Sequence, residues 1–356
     1  MRVALLASGD DQYCGIATYT SCLEAGLNVD TERIPLKLRS LDLIHYIRAG
    51  WQAGQTDADI LHVLHEYGIY GPKSVASWFL FGALWLASLF RDLPVVVTFH
   101  SAWNQETIDP PLYWVKSLYV TLNNWMLATV ADHAIFLSEG TRDAFEESIG
   151  IASSDVIAHG VQTDVHLMPK GEAKAEFGYD AEETLVVEPG FVRPQKGYET
   201  FLDIAAELPE TPFLIGGGPQ DEEDEPYAEQ LRERAPDNVA MTGVLDDDRF
   251  HALFNAADVA VLPYEVVTQS GIVNWCIAYE VPIVATDLDR FASLHDDYSF
   301  PLLFPEGDAS AGADAVQAAL DDPTPIVEGM QAYRDERGMD SVAADHVSLY
   351  ERLAGS

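Results

Sequence analysis

Residues 190–197 read GFVRPQKG. The stretch follows a short apolar run at 184–187, which has the pattern of a buried strand. It precedes residues 198–208, where Phe201, Leu202, Ala205 and Leu208 share one helical face. Two cations, Arg193 and Lys196, therefore stand between a strand and the first turn of a helix. Glycine at both ends permits a sharp backbone turn. A helix start presents unpaired N–H groups and partial positive charge, which favour an anion. The Arg193 guanidinium offers a planar fork suited to phosphate, and Lys196 a mobile point charge. The same residues can also flank a plain turn and face water, so local chemistry leaves two readings and the rest of the chain decides.

A chain of 356 residues is long enough for two domains with sizeable cores. Its 48% hydrophobic and 10% aromatic content excludes global disorder. Acidic residues outnumber basic ones 58 to 20, for a net charge of −38, and only 6 of the 20 cations are lysines. The acids are spread along the chain. Such a coat suits high salt, where screening removes the self-repulsion. It argues against nonspecific nucleic-acid binding, which needs cations. Cys14, Cys22 and Cys276 form neither a disulfide framework nor a metal-ligand spacing, which points to a reduced, cytoplasmic setting. The opening MRVALLASG reads as a strand and a glycine rather than a signal peptide.

Residues 74–90, SVASWFLFGALWLASLF, hold 17 residues without a charge. As a helix they reach about 25 Å, short of a hydrocarbon core of about 30 Å, so a core helix is expected. Residues 113–130 are also rich in aromatics, with Trp114, Tyr119 and Trp125. The pair leaves open contact with lipid or a lipid-linked substrate.

Along the chain, strands at 3–7, 60–64, 95–99, 134–137 and 155–158 alternate with helical patterns, which argues for a parallel sheet covered on both faces. In such sheets the chemistry lies beyond the carboxyl ends of the strands, where His65, Glu66, His100, Glu139 and His159 fall. The first strand leads through a polar loop to Gly15 and a helix, without a dinucleotide G-x-G-x-x-G fingerprint. Residues 166–182 are polar and read as a linker between a domain at 1–165 and one at 183–325. In the second domain the strand–helix pattern restarts, and residues 326–356 read as a closing helical segment. Thr268, Gln269, Ser270 and Gly271 open a helix after the strand at 259–262, making a second anion candidate. Helix capping alone also explains a hydroxyl there. A metal cluster of His62, His65, Glu66 and His100 is disfavoured, since parallel strands rarely close a ligand shell without a carboxylate at helical spacing. No metal is expected.

These segments together resemble the family 4 retaining glycosyltransferases, in a haloarchaeal type. The likeness is carried by CGIATYT at 14–20, HVLHEYGIYG at 62–71, VTFHSAW at 97–103, FLSEGTRDAF at 136–145, AHGV at 158–161, GFVRPQKG at 190–197, GGGP at 216–219, PYEVVTQSGI at 263–272 and VPIVAT at 281–286. The resemblance implies the GT-B architecture: α/β, with two Rossmann-like domains facing each other across a cleft and C-terminal helices closing back. It implies a metal-independent hexosyltransferase that uses a nucleotide-sugar as co-substrate, with no further cofactor. The acceptor would be a glycan or lipid-linked saccharide, with possible peripheral contact to the inner membrane face. By that likeness Arg193 and Lys196 hold the donor diphosphate, with Gly190 in the same loop. Thr268, Ser270 and Gly271 lie in the diphosphate and ribose region, His100 faces the donor sugar, and Gly15 and Glu66 line the substrate side.

The chain departs from the family in two ways. Many members carry two glutamates eight positions apart around the last motif, where this sequence has Val267 and Trp275, which places it with a TQSG-loop subset. Arg193 stands two positions later than the arginine of the commoner pattern. A non-catalytic sugar-nucleotide or glycan-binding protein is the alternative these losses suggest. An epimerase or nicotinamide dehydrogenase on a similar two-domain frame is a further rival.

Overall fold

The computed structural model describes residues 1–9, 15–104, 112–267 and 270–355. The chain forms two compact units, residues 1–160 with 339–356 and residues 161–338. In the first unit β1 (Arg2–Ser8), α1 (Gly15–Gly26), β2 (Asp30–Leu36), α2 (Leu43–Gly54), β3 (Ile60–His65), α3 (Val75–Ser88), β4 (Val95–Phe99), α4 (Tyr113–Val130), β5 (His133–Phe136), α5 (Glu139–Glu146) and β6 (Ser154–Val156) alternate. They build a parallel six-stranded sheet in the order β2-β1-β3-β4-β5-β6. The central strands ILHVLH and VVVTF are buried at every position, as expected where helices cover both faces.

The second unit contains α6 (Lys170–Ala175), β7 (Val186–Pro189), α7 (Tyr198–Glu207), β8 (Phe213–Gly216), α8 (Glu225–Arg234), β9 (Val239–Met241), α9 (Asp247–Ala256), β10 (Val259–Leu262), α10 (Gly271–Ala278), β11 (Ile283–Thr286), α11 (Asp289–Tyr298), β12 (Leu302–Phe304), α12 (Ala309–Asp321) and α13 (Thr324–Arg337). Its sheet is again parallel and six-stranded, in the order β12-β11-β10-β7-β8-β9. Counted from its own first strand, this is the Rossmann order, which reverses between β7 and β10. The first sheet reverses between β1 and β3. Loops that leave such neighbouring strands in opposite directions open a crevice at their carboxyl ends.

The unit boundaries differ from the sequence reading. Residues 166–182 are not a linker. Within them α6 packs on α9, and Lys170 and Lys174 pair with Asp258 at 2.6 and 2.8 Å. Polar composition hides this anchor, because its attractions are ion pairs rather than an apolar stripe. The stretch read as one closing segment divides between the units. Helix α13 belongs to the second unit, and α14 (Met339–Ala354) returns to the first. There the Tyr350 hydroxyl bonds His62 Nδ1 at 2.6 Å, and His62 Nε2 bonds Thr98 Oγ1 at 2.7 Å. His62 is thus a satisfied core residue of β3.

Two strands absent from the sequence reading, β2 and β12, lie at sheet edges. Proline at position 35 and the charges in DTERIPL weaken the strand pattern, yet an edge strand tolerates both. Helices α2 and α3 approach closely through small residues. A methyl built on Gly50 would stand 2.1 Å from the Leu80 carbonyl oxygen, and one on Gly54 2.5 Å from Ala87 Cβ. No helix among the described residues is long and apolar enough to cross a membrane. Helix α3 is largely a core helix, with Leu80, Phe81, Leu84 and Ala87 buried, but Phe79, Trp85 and Leu86 remain exposed.

Candidate active site

Each unit places a set of polar groups beyond the carboxyl ends of its central strands. In the first, His100 follows β4, and its backbone N–H donates to the His65 carbonyl at 3.0 Å. The imidazole meets the Tyr19 ring of α1 edge-on, with centroids 4.8 Å apart, and lies 6.3 Å from the His159 ring. Its Nε2 is buried with no hydrogen-bond partner among the described residues. Burial, followed by the neighbouring His159 and His65, lowers its pKa to about 3. His100 is therefore a neutral imidazole at physiological pH, able to donate or accept one hydrogen bond but not to supply positive charge.

Glu66 follows β3 and caps a short 3-10 turn, Tyr67–Ile69. Its Oε1 accepts from Ser101 Oγ at 2.8 Å, which ties the loop after β3 to the loop after β4. Burial raises its pKa, against the opposing bonds from Ser101 and the Gly68 and Tyr67 backbone. Gly15 opens α1, and a methyl built on it would meet no atom of the described residues within 4 Å. His65 instead belongs to the core: its Nδ1 bonds the Tyr70 hydroxyl at 3.1 Å, and burial lowers its pKa to about 3. No group of three or more His, Cys, Asp or Glu poised to hold a metal ion occurs among the described residues.

In the second unit the loop after β7 carries Gly190 at φ +111°, then a 3-10 turn at Pro194–Lys196, then Gly197 at φ +70°. Both angles favour glycine. Space requires it as well. A methyl on Gly190 would lie 2.5 Å from Lys196 Nζ, and one on Gly197 1.9 Å from the Pro263 carbonyl oxygen. The ammonium thus rests against bare backbone, and it sits 5.5 Å from the Tyr264 ring centroid. The Tyr198 hydroxyl braces the loop by donating to the Gly190 carbonyl at 3.0 Å. Burial lowers the Lys196 pKa, partly offset by Glu188.

Arg193 is placed differently. Its guanidinium lies 3.6 Å from Asp221 and 3.5 Å from Asp224, at the acidic approach to α8, and is part-exposed. Its fork is engaged by carboxylates, so Lys196 is the cation the loop itself seats. Ser270 precedes α10 with its Oγ 3.4 Å from the Tyr264 hydroxyl, and Gly271 is the first helical residue. Thr268 and Gln269 lie outside the described residues, as does Cys14. At the two positions where the family resemblance implies glutamates, Val267 packs on the core and Trp275 joins an aromatic cluster, 5.1 Å from the His251 ring and 5.9 Å from Phe250. The loops after β7 and β10, on either side of the strand-order reversal, therefore bring Gly190, Lys196, Tyr264 and Ser270 together.

Sequence reasoning missed Glu188, Tyr19 and Tyr264. The only signal for Glu188 was a carboxylate inside VVEP, an otherwise apolar strand whose four residues are all buried.

Residues 17–165 match the family model described as Glycosyltransferase Family 4, and residues 183–322 match Glycosyl transferases group 1. The chain belongs to the family 4 type of glycosyltransferases. Among curated glycosyltransferases it is 27% identical over 277 residues to the D-inositol 3-phosphate glycosyltransferase of Mycobacteroides abscessus, covering 72% of this chain and 60% of that one. It is 27% identical over 314 residues to the phosphatidyl-myo-inositol mannosyltransferase of Mycobacterium leprae, covering 84% and 75%. A crystal structure of Anabaena HepE in complex with UDP and glucose shares the fold at a TM-score of 0.73 and 15% identity, with 99% of both chains covered. The chain thus spans about three-fifths of the length of the first of these glycosyltransferases. The first matched segment holds every strand of the first sheet except β1, and the second holds the whole second sheet with the loop of Gly190 and Lys196.

Proposed function

We propose that the protein transfers a hexosyl group from a nucleotide-sugar to a glycan or lipid-linked acceptor, with retention of configuration and without a metal ion. The observation that carries this reading is the Lys196 ammonium seated against Gly190 at the strand-order reversal of the second sheet. Cleavage of the sugar–phosphate bond leaves a second charge on the nucleoside diphosphate. A cation fixed beforehand where that charge develops stabilises the transition state without reorganising during the reaction. The amides at the start of α10, with Ser270 and Gly271, are suited to the remaining phosphate or ribose oxygens. Thr268 is assigned to the same region. His100, uncharged, offers a hydrogen bond to a sugar hydroxyl, and Glu66 and Gly15 line the same end of the first sheet. Arg193 acts at the margin, because a donor must compete with Asp221 and Asp224 for it. The UDP complex of the HepE neighbour supports a nucleoside diphosphate as leaving group.

A lipid-linked acceptor is favoured by the first unit. Helices α2, α3 and α4 contain no Asp or Glu and expose Trp51, Trp85, Trp114 and Trp125. In a chain of net charge −38 this is the face that approaches a membrane at least electrostatic cost. The lipid named for the M. leprae relative points the same way. We assign the protein to the cytoplasm, in peripheral contact with the inner membrane face, and to a high-salt interior.

The test is a nucleotide-sugar panel in several-molar salt, read by thermal shift and then by product analysis with a lipid extract. A ligand at about 100-fold excess over Kd stabilises by roughly 2.7 kcal/mol. Binding followed by transfer supports the proposal. Binding with neither transfer nor hydrolysis gives the non-catalytic alternative, and release of a sugar isomer without acceptor gives an epimerase.

A further inference from the structure

Glu188 lies in β7, two residues before Gly190, and is completely buried. Neither carboxylate oxygen has a hydrogen-bond partner among the described residues. A buried carboxylate without partners is costly unless it is neutral or faces a positive charge. Gly190, against which the Lys196 ammonium rests, follows Glu188 by two residues. Lys196 attracts the Glu188 charge, Glu199 repels it, and the phenols of Tyr198, Tyr227 and Tyr264 also feel it. Glu199 is itself engaged by the Tyr227 hydroxyl. The Tyr198 hydroxyl is committed to the Gly190 carbonyl, and that of Tyr264 to Ser270. Arg193, the next cation, is held by Asp221 and Asp224. Lys196 is therefore the one attractive charge for Glu188 among the described residues, and Lys196 makes no ion pair or hydrogen bond there.

We propose that Glu188 is a positioning residue of the donor phosphate site, drawing the Lys196 ammonium toward Gly190 through space, without a direct ion pair, while the site is empty and yielding it when a nucleoside diphosphate binds. The inference rests on the donor-phosphate reading of Lys196. An ionised Glu188 competes with the diphosphate for the ammonium. When the diphosphate arrives, its negative charge drives a proton from solvent onto a Glu188 oxygen, which removes the competitor and leaves Lys196 fully available. The proton returns to solvent when the diphosphate leaves. Burial already raises the Glu188 pKa well above the usual range, with Lys196 opposing, so this exchange falls above pH 4.5.

The experiment is calorimetric titration of the full chain with UDP in several-molar salt, in buffers of different ionisation enthalpy, from pH 5 to 9. UDP has its own phosphate titration, so wild type is compared with Glu188→Gln under identical conditions. The expected result is an excess uptake approaching one proton in wild type that is absent from the variant. Over the same range wild-type Kd weakens by up to tenfold per pH unit relative to Glu188→Gln. Equal proton counts and parallel Kd profiles overturn the role of Glu188, whatever the variant does to the melting temperature. Should the variant not fold, wild-type uptake no larger than that of UDP's own phosphate overturns it alone. Failure of UDP and other nucleoside diphosphates to bind at all sinks the donor-site reading, and this inference with it.

Discussion

The two units share a six-stranded parallel sheet but differ in the titratable groups at their strand ends. The first buries His62, His65 and His346 and part-buries His100, each with its pKa lowered chiefly by desolvation. The second buries an acid, Glu188, unpartnered among the described residues and raised by burial, near the seated Lys196, while its buried base, Lys174, is paired with Asp258. The first half therefore offers neutral imidazoles and aromatic rings, chemistry suited to hydrogen-bonding a sugar. The second holds its cation against bare glycine backbone, chemistry suited to phosphate. One scaffold accommodates both because what differs lies in the residues at strand ends, not in the strands.

The sharpest way to break this comparison is Lys196→Ala. Loss of a preorganised transition-state charge should lower kcat for donor turnover by about 10²–10³-fold, with the far-ultraviolet dichroism spectrum unchanged. Near-wild-type kcat would remove the phosphate role. Acid should next separate the halves. A histidine whose folded pKa lies below 6.5 binds more protons when unfolded, so its contribution is intact above pH 6.5 and is lost as pH falls toward the folded value. For His65 and His100 that value is about 3, and for His346 about 4. Each costs on the order of 1.4 kcal/mol per pH unit across its window. Glu188 has the reverse sign: its contribution is full below pH 4.5 and declines as pH rises through its folded value. Six of the seven tryptophans lie in the first unit, so tryptophan emission should report its opening between pH 6 and 4. Hydrogen exchange should show peptides of the second unit still protected there, and earlier exchange in the second unit would contradict the assignment.

Smaller effects sharpen the picture. Gly190→Ala introduces strain at φ +111° and a methyl against Lys196, so a loss of about 1–3 kcal/mol is expected by denaturant unfolding. A raised donor KM should accompany it, and unchanged stability and KM would show that the ammonium is not seated there. Arg193→Ala should change donor KM less than tenfold, because its fork already belongs to Asp221 and Asp224. An effect as large as that of Lys196→Ala would reverse the ranking of the two cations.

Much of the architecture was legible because parallel central strands are buried on both faces. VAVL therefore announces itself as an unbroken apolar run, and VVVTF and ILHVLH as runs interrupted only by Thr98 and by His62 and His65. An acid just before a helical pattern is a capping signal, and Asp246 accepts from the Arg249 backbone N–H at 3.0 Å. The glycine–cation loop could be read because special backbone angles and scarce lysine leave a mark on composition. The edge strands, the anchoring of α6 and the return of α14 could not, since each depends on a partner distant in sequence: β1 for β2, Asp258 for Lys174, His62 for Tyr350.

Local order, the alternation of strands and helices, and the residue types at the strand ends were fixed by sequence, because they follow from hydrophobic period and backbone stereochemistry. Which cation is seated and which is diverted to carboxylates was decided only by tertiary structure. So was the burial of Glu188 beside Lys196, and with it the protonation state of each half's key group. Burial and charge proximity are properties of three-dimensional neighbours, and a linear pattern does not encode them.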